Sequence, residues 1–141
     1  MIGVGHRAAQ RGPVVAIDLR ADKTALARKL GATDELVVAA DPVAALFELI
    51  PDGVDYAFDA IGLTSTTEQA IRMLGLGGAA VIVGLPPTGA RASFEPLVLA
   101  ESDQRILGSN YGSIRPSVDI PLLVDLQTGA ALRTLLIPDH T

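Results

Sequence analysis

Val14, Val15, Ala16 and Ile17 form a short apolar run of β-branched character, and Asp18 closes it. Asp22 then stands as a helix N-cap. Leu26 and Leu30 sit four apart on one face with Ala27 beside them, the helix runs to about Leu30, and Gly31 supplies a left-handed stop. A buried strand that ends in an acid and passes at once into a short helix is half of a β-α-β crossover. Such crossovers are right-handed and build parallel sheets.

The same alternation continues. Leu36–Val38 is a short strand. Asp41-Pro42 opens a second helix with proline at its first position. Val43, Leu46, Phe47 and Ile50 fall at i, i+3, i+4, i+7 and predict its buried stripe. Pro51-Asp52-Gly53 is a turn and Val54–Ile61 a strand. Ser65 and Glu68 have capping-box spacing at the head of a helix to about Leu74, which Gly75, Gly77 and Gly78 break. Ala79–Leu85 is a buried strand closed by Pro86-Pro87, and a loop follows. Ile106–Tyr111 is a last strand. Ser117 caps a final helix carrying Val118, Leu122, Leu123 and Leu126, with Gly129 as its stop. The expectation is one α/β domain over residues 1–141, an incomplete Rossmann-type doubly wound parallel sheet with helices on both faces. A chain that is 49% hydrophobic but only 4% aromatic suits a parallel sheet buried on both sides.

Charge and cysteine content exclude several functions. The net charge is −5 and the 11 basic residues form no run, which argues against a nucleic-acid partner. Without cysteine there is no disulfide, thiolate metal site or cysteine nucleophile. His6 and His140 are far apart and lack the spacing of a zinc site, so no metal ligand is expected. No apolar run reaches the roughly 18 residues of a membrane span, and the start of the chain lacks a secretory pattern; a cytoplasmic protein is expected.

In open parallel sheets ligands bind beyond the carboxyl ends of the strands. An acid there, such as Asp18, can accept hydrogen bonds from the ribose hydroxyls of an adenine dinucleotide and repel a 2′-phosphate. It can equally end a strand and begin a turn. Arg20 just beyond it can meet a 2′-phosphate, which Asp18 opposes; the balance favours NAD over NADP. Asp55 and Asp59 read as a turn-side acid and a strand-end acid rather than as an acid-base pair.

These residues carry a resemblance. Val14–Asp34, VDYAFDAIG (Val54–Gly62), GGAAVIVGLPP (Gly77–Pro87) and RILGSNYGSIRPSVDIPLLVDL (Arg105–Leu126) together resemble the coenzyme domain of zinc-type, medium-chain alcohol dehydrogenases. The resemblance implies that Asp18 holds the adenosine ribose with Lys23 reaching it, and that Ile61 flanks the adenine side and nearby ribose. Val83, Leu85 and the chain near Tyr111 would present backbone to the nicotinamide carboxamide. It also implies a homo-oligomer through the edge strand 106–111. Taken without it, Lys23 is a solvated helix residue, and Ile61, Val83 and Leu85 are core-type residues.

The phosphate-binding turn is short. Gly3-Val4-Gly5-His6-Arg7-Ala8 fits G-x-G-x-x-A and makes Gly3 and Gly5 candidate cofactor residues, but Asp18 comes only 15 residues after Gly3. A helix returning along a strand of roughly 17–20 Å needs about 12 residues. Only eight separate Gly5 from Val14, so a crossover helix does not fit. Either the first unit is rebuilt as a short loop, or the domain is truncated or rearranged. Without that helix an apolar patch of the sheet is expected to stay exposed. No residue matches a catalytic or zinc ligand of the family, whose catalytic domain would lie elsewhere. The expected function is the coenzyme domain of an NAD-dependent alcohol dehydrogenase-like oxidoreductase, not catalytically competent alone. The alternatives are a non-catalytic nucleotide-binding or dimerising remnant, or part of a zinc-free NADPH quinone or enoyl reductase.

Overall fold

The computed structural model describes residues 2–5 (as backbone), 12–38, 40–110 and 117. The chain divides into two compact units, Met1–Ser109 and Asn110–Thr141. The first holds every element below. The expected final helix beyond Ser117 lies outside the described residues.

In chain order the elements are β1 (Ile2–Gly5), β2 (Val15–Asp18), α1 (Ala21–Lys29), β3 (Asp34–Val37), α2 (Pro42–Leu49), β4 (Val54–Asp59), α3 (Thr64–Arg72), β5 (Leu74–Ile82), α4 (Pro96–Glu101) and β6 (Arg105–Gly108). The strands form one sheet in the order β3-β2-β1-β4-β5-β6. This is the doubly wound order, with its switch point between β1 and β4. The connection through α1 moves outward one way, and those through α3 and α4 move outward the other. Right-handed crossovers therefore place α1 on one face and α3 and α4 on the opposite one.

The sheet departs from the expectation in one strand. β2 pairs parallel with β3, and β4, β5 and β6 are mutually parallel, but β1 runs antiparallel to both β2 and β4. The short connection is the reason. Parallel neighbours need a crossover of a dozen or more residues, whereas antiparallel neighbours close with a short loop. β1 keeps its place in the strand order and reverses its direction.

The core lies on the face of α2 and α3. Val15 and Ile17 from β2, Val54 and Ala57 from β4, and Ala80 from β5 form one buried cluster with Leu46, Ala70, Ile71, Met73 and Leu74. Burying a side chain such as Leu46 contributes about 1.5–3 kcal/mol. Helix α2 is placed by its first residues. Asp41 Oδ1 accepts from the backbone N–H groups of Val43 (3.0 Å) and Ala44 (3.2 Å), and Pro42 follows it. Such a cap stabilises by about 1 kcal/mol. Val43 and Ile50 pack against the cluster as their spacing predicts.

Other local readings are corrected. Helix α1 starts one residue before the expected cap Asp22 and seats Thr24 and Ala27 on the sheet; Leu26 and Leu30 stay 47% and 43% exposed. Two small side chains let the helix lie close to the strands, which turns the leucines outward. Ser65 lies inside α3, whose N-cap position is Leu63 without a side-chain cap. Glu68 bonds Ser93 instead of closing a capping box. The glycines expected to break that helix are already strand: β5 begins at Leu74. The segment read as loop contains α4.

On the opposite face of the sheet, Ala16, Gly3, Phe58, Val81 and Leu107 align in one row of paired residues. Phe58 and Leu107 in that row are 40% and 44% exposed, and the rings of Tyr56 and Phe58 stack at 6.4 Å. The exposed apolar surface of this row thus lies at β4 and β6, whereas Ala16 on β2 is buried.

Candidate functional site

All strands except β1 deliver their carboxyl ends to one edge of the sheet, and the sequence-predicted residues divide there into two groups. Asp18 ends β2, half-buried, and its Oδ1 accepts from the Arg20 backbone N–H at 3.0 Å. Lys23 follows, exposed on the first turns of α1. Across the switch point stand Ile61 after β4, and Val83 and Leu85 after β5, exposed by 45%, 39% and 74%. Ile61, Val83 and Leu85 thus lie on the loops after two neighbouring strands, β4 and β5. Tyr111 lies outside the described residues.

Gly3 and Gly5 are corrected. Both are strand residues of β1, paired with Phe58 and Tyr56 of β4, and not the glycines of a turn. Because β1 is reversed, Gly5 points the chain toward the amino ends of β2 and β4, away from Asp18.

The Arg20 guanidinium is held by Asp22, with Nε on Oδ1 at 3.0 Å and Nη2 on Oδ2 at 2.8 Å. That hydrogen bond is the main reason Asp22 titrates below, and Arg20 above, the ordinary value. The arginine beside Asp18 is therefore engaged with a second acid.

Asp59 organises the other half of the edge. It is fully buried at the end of β4. Its Oδ1 accepts from Ile61 N (3.0 Å), Gly62 N (3.5 Å) and Thr66 Oγ1 (3.0 Å), and its Oδ2 from Thr67 Oγ1 (2.7 Å). Its carbonyl accepts from Val83 N (2.9 Å) and Gly84 N (2.8 Å). The two loops touch through glycines: a Cβ on Gly84 would lie 2.2 Å from Gly62 N, and one on Gly62, whose φ is +84°, would lie 2.9 Å from Leu85 N. A sequence reading of Asp59 as a strand-end acid identifies its place but not this network. The hydroxyls seven and eight residues later were the signal.

A depression of about 1030 Å³ lies elsewhere, toward the amino ends of β4 and β5. Phe47, Ile71, Leu76 and Phe94 give it an apolar wall. Glu68 on its rim accepts from Ser93 N at 2.8 Å and Ser93 Oγ at 2.9 Å, and these bonds hold its carboxyl below the usual range. It contains none of the residues at the carboxyl edge. The strand-end chemistry, not the size of the hollow, identifies the candidate site.

The model of the zinc-binding dehydrogenase family matches residues 5–128. The chain belongs to that family. It is 32% identical over 124 residues to the probable S-(hydroxymethyl)glutathione dehydrogenase 1 of Schizosaccharomyces pombe, covering 86% of this chain and 32% of that protein. Among solved structures it is similar to benzyl alcohol dehydrogenase from Acinetobacter calcoaceticus, with a TM-score of 0.72 and 34% identity over 85% of this chain and 34% of that one. It is also similar to a protein described as a zinc-binding dehydrogenase from Sinorhizobium meliloti 1021, solved bound to NADP, with a TM-score of 0.67 and 31% identity over 86% and 36% of the two chains. The chain spans about a third of the length of these relatives, and the third it matches is the zinc-binding dehydrogenase coenzyme domain.

Proposed function

We propose that this chain is the part of an alcohol dehydrogenase-like oxidoreductase that holds NAD for hydride transfer to and from an alcohol. One observation carries the reading: Asp18 ends β2 at the carboxyl edge of a doubly wound sheet, where ligands of such sheets bind, one strand from the switch point. Its carboxylate would accept from the adenosine ribose hydroxyls, with Lys23 beside it. Across the switch point, Ile61 would flank the adenine side and nearby ribose, and Val83 and Leu85 would present backbone to the nicotinamide carboxamide. Asp18 and Asp22 set two acids where a 2′-phosphate would come, and Arg20 is engaged with Asp22. That favours NAD over NADP. When bound, the cofactor supplies the hydride chemistry; this chain's own groups bind and orient it. The family match over residues 5–128 supports treating the whole of 1–141 as one cofactor domain.

This reading places the two ends of the dinucleotide but not its middle. A pyrophosphate ordinarily rests on a glycine turn leading into a helix N-terminus. Gly3 and Gly5 are strand residues here. Zinc does not fit: the chain has no cysteine, and no group of three or more metal-binding side chains occurs among the described residues. Catalytic groups of the whole enzyme would come from outside this chain.

Strand β6 is exposed along its length, with Ile106 and Leu107 38% and 44% exposed. An open strand edge of this kind pairs readily with another chain, which supports the homo-oligomer expected through 106–111. Sedimentation as a monomer at every concentration would contradict it. A cytoplasmic location accompanies this reading, and no described helix is long and apolar enough to cross a membrane.

The test is an NADH fluorescence titration of the 141-residue chain, with circular dichroism as a check of folding. Saturable binding is expected. Asp18→Ala should weaken it by roughly 10- to 100-fold, the equivalent of losing hydrogen bonds to one charged group. A folded wild-type chain that ignores NADH would overturn the reading.

A further inference from the structure

We propose that Asp22 is a positioning residue for cofactor choice: it holds the Arg20 guanidinium at the head of α1 and so withholds from a 2′-phosphate the arginine that follows Asp18. The proposal rests on the dinucleotide reading above and adds to it the group through which the site disfavours NADP.

Arginine is the side chain best shaped for a phosphate. It stays charged and presents its donors as a planar fork. An unheld Arg20, two residues past Asp18, would offset the repulsion that Asp18 exerts on a 2′-phosphate. Asp22 takes the fork instead. Nε and Nη2 each donate to one of its carboxylate oxygens, at 3.0 and 2.8 Å. Nη1 keeps its donors, but a phosphate bound there would lie close to the Asp22 charge.

The main chain of Arg20 is fixed as well. Its N–H donates to Asp18 Oδ1 at 3.0 Å, and its carbonyl accepts from Lys23 N at 3.1 Å and Thr24 N at 3.3 Å, as befits the N-cap position of α1. With the backbone set from both sides, the direction of the guanidinium is left to Asp22. Asp22 in turn lies in the first turn of α1, where the helix dipole favours a negative charge. The Asp22 hydrogen bond first, and then its charge, raise the Arg20 pKa, and Asp18 adds to the rise, so the guanidinium lies in the field of both acids. The side chains of Arg20 and Asp22 are 67% and 61% exposed. An exposed pair of this kind is weak and screened by salt, so it biases cofactor choice by a modest factor rather than barring NADPH outright.

NADH and NADPH differ only in the 2′-phosphate, so the ratio of their affinities reads this part of the site alone. Both would be titrated at low ionic strength into the wild-type chain, Asp22→Asn, Asp22→Ala, Arg20→Gln and the double variant Asp22→Asn with Arg20→Gln. Thermal unfolding would be followed in parallel. Asp22→Asn keeps the size and removes the charge; Asp22→Ala also removes the acceptor. A merely structural loss at the head of α1 would move both affinities together and leave the ratio where it was.

The expected result is a shift in that ratio. Asp22→Asn and Asp22→Ala each raise NADPH affinity relative to NADH by about two- to fivefold, the scale of one exposed charge pair, and the gain shrinks in high salt. Arg20→Gln lowers the ratio more in the Asp22→Asn chain than in the wild type, because only there is the guanidinium free for the phosphate. A ratio that moves in neither Asp22 variant overturns this proposal alone. So does a gain that survives intact in the double variant, which would mean that Asp22 acts by its own repulsion and not through Arg20. A folded wild-type chain that binds neither dinucleotide overturns the dinucleotide reading and this proposal with it.

Discussion

Leu46→Ala should lower the unfolding free energy by about 2–5 kcal/mol, the range for emptying a fully buried leucine site. Leu46 is 0% exposed and is the one residue of α2, apart from Pro42, that is buried outright. It seats the helix on Val15, Ile17 and Val54, in the cluster that also holds Ile71 and Met73. Removing three side-chain carbons leaves a cavity among β-branched neighbours whose χ1 angles are stiff, so relaxation into the gap is small. Domains of this size carry a total stability of about 5–15 kcal/mol, so the loss is a large fraction of it. A urea titration with an unchanged slope and a lower midpoint reads it directly. A loss under about 1 kcal/mol would mean that α2 does not close over the sheet as described.

Gly84→Ala should be nearly as damaging, by about 1–3 kcal/mol or more, because it forces two backbones apart in a filled site. The new Cβ would meet Gly62 N at 2.2 Å, Gly62 Cα at 2.7 Å and Ile61 C at 2.8 Å. All three are main-chain atoms, and both loops are held to Asp59, so no flexible side chain can yield. NADH affinity should fall with stability, since the displaced loops carry Ile61, Val83 and Leu85. Gly108→Ala is the control: nothing lies within 4 Å of its added Cβ. Equal unfolding midpoints for the two variants would show that the loops do not meet.

The parts of this fold that read correctly from sequence are those in which local chemistry and tertiary packing agree. Asp41-Pro42 with the stripe Val43, Leu46, Phe47, Ile50 is helical on capping, propensity and burial at once, and α2 runs over Pro42–Leu49. Val14–Asp18 is a strand on every count, and β2 is Val15–Asp18. The misreadings come where two rules compete. Gly75, Gly77 and Gly78 look like helix breakers, yet they open β5. There Gly75 and Gly78 let Asp52 O and Val54 O come to where a Cβ would be 2.5 and 2.7 Å away. Ser65 and Glu68 have capping-box spacing, but Asp59 supplies the oxygens at the head of α3 and Glu68 binds Ser93. Helix α4 is six residues long and has no buried position, so no periodicity marks it.

The reversal of β1 was half legible. Counting eight residues between Gly5 and Val14 excludes the crossover helix, but only the strand pairing shows that the chain responds by changing direction. Of the site, Asp18 was visible because a strand-end acid is a local pattern. The Asp59 hub was not, because its donors come from the loops after two different strands, with Ile61 N 22 residues from Val83 N and 23 from Gly84 N.

The central claim is that a nicotinamide dinucleotide lies along the carboxyl edge of β2, β4 and β5. Amide chemical shifts of the isotope-labelled chain during an NADH titration test it most directly. The account predicts that Arg20, Lys23, Ile61, Gly62, Val83 and Leu85 shift together along one saturation curve while Asp52, Gly53 and Leu76 at the opposite edge stay still. Shifts gathered instead around Phe47, Ile71 and Phe94 would place the ligand in the groove by α4 and contradict it.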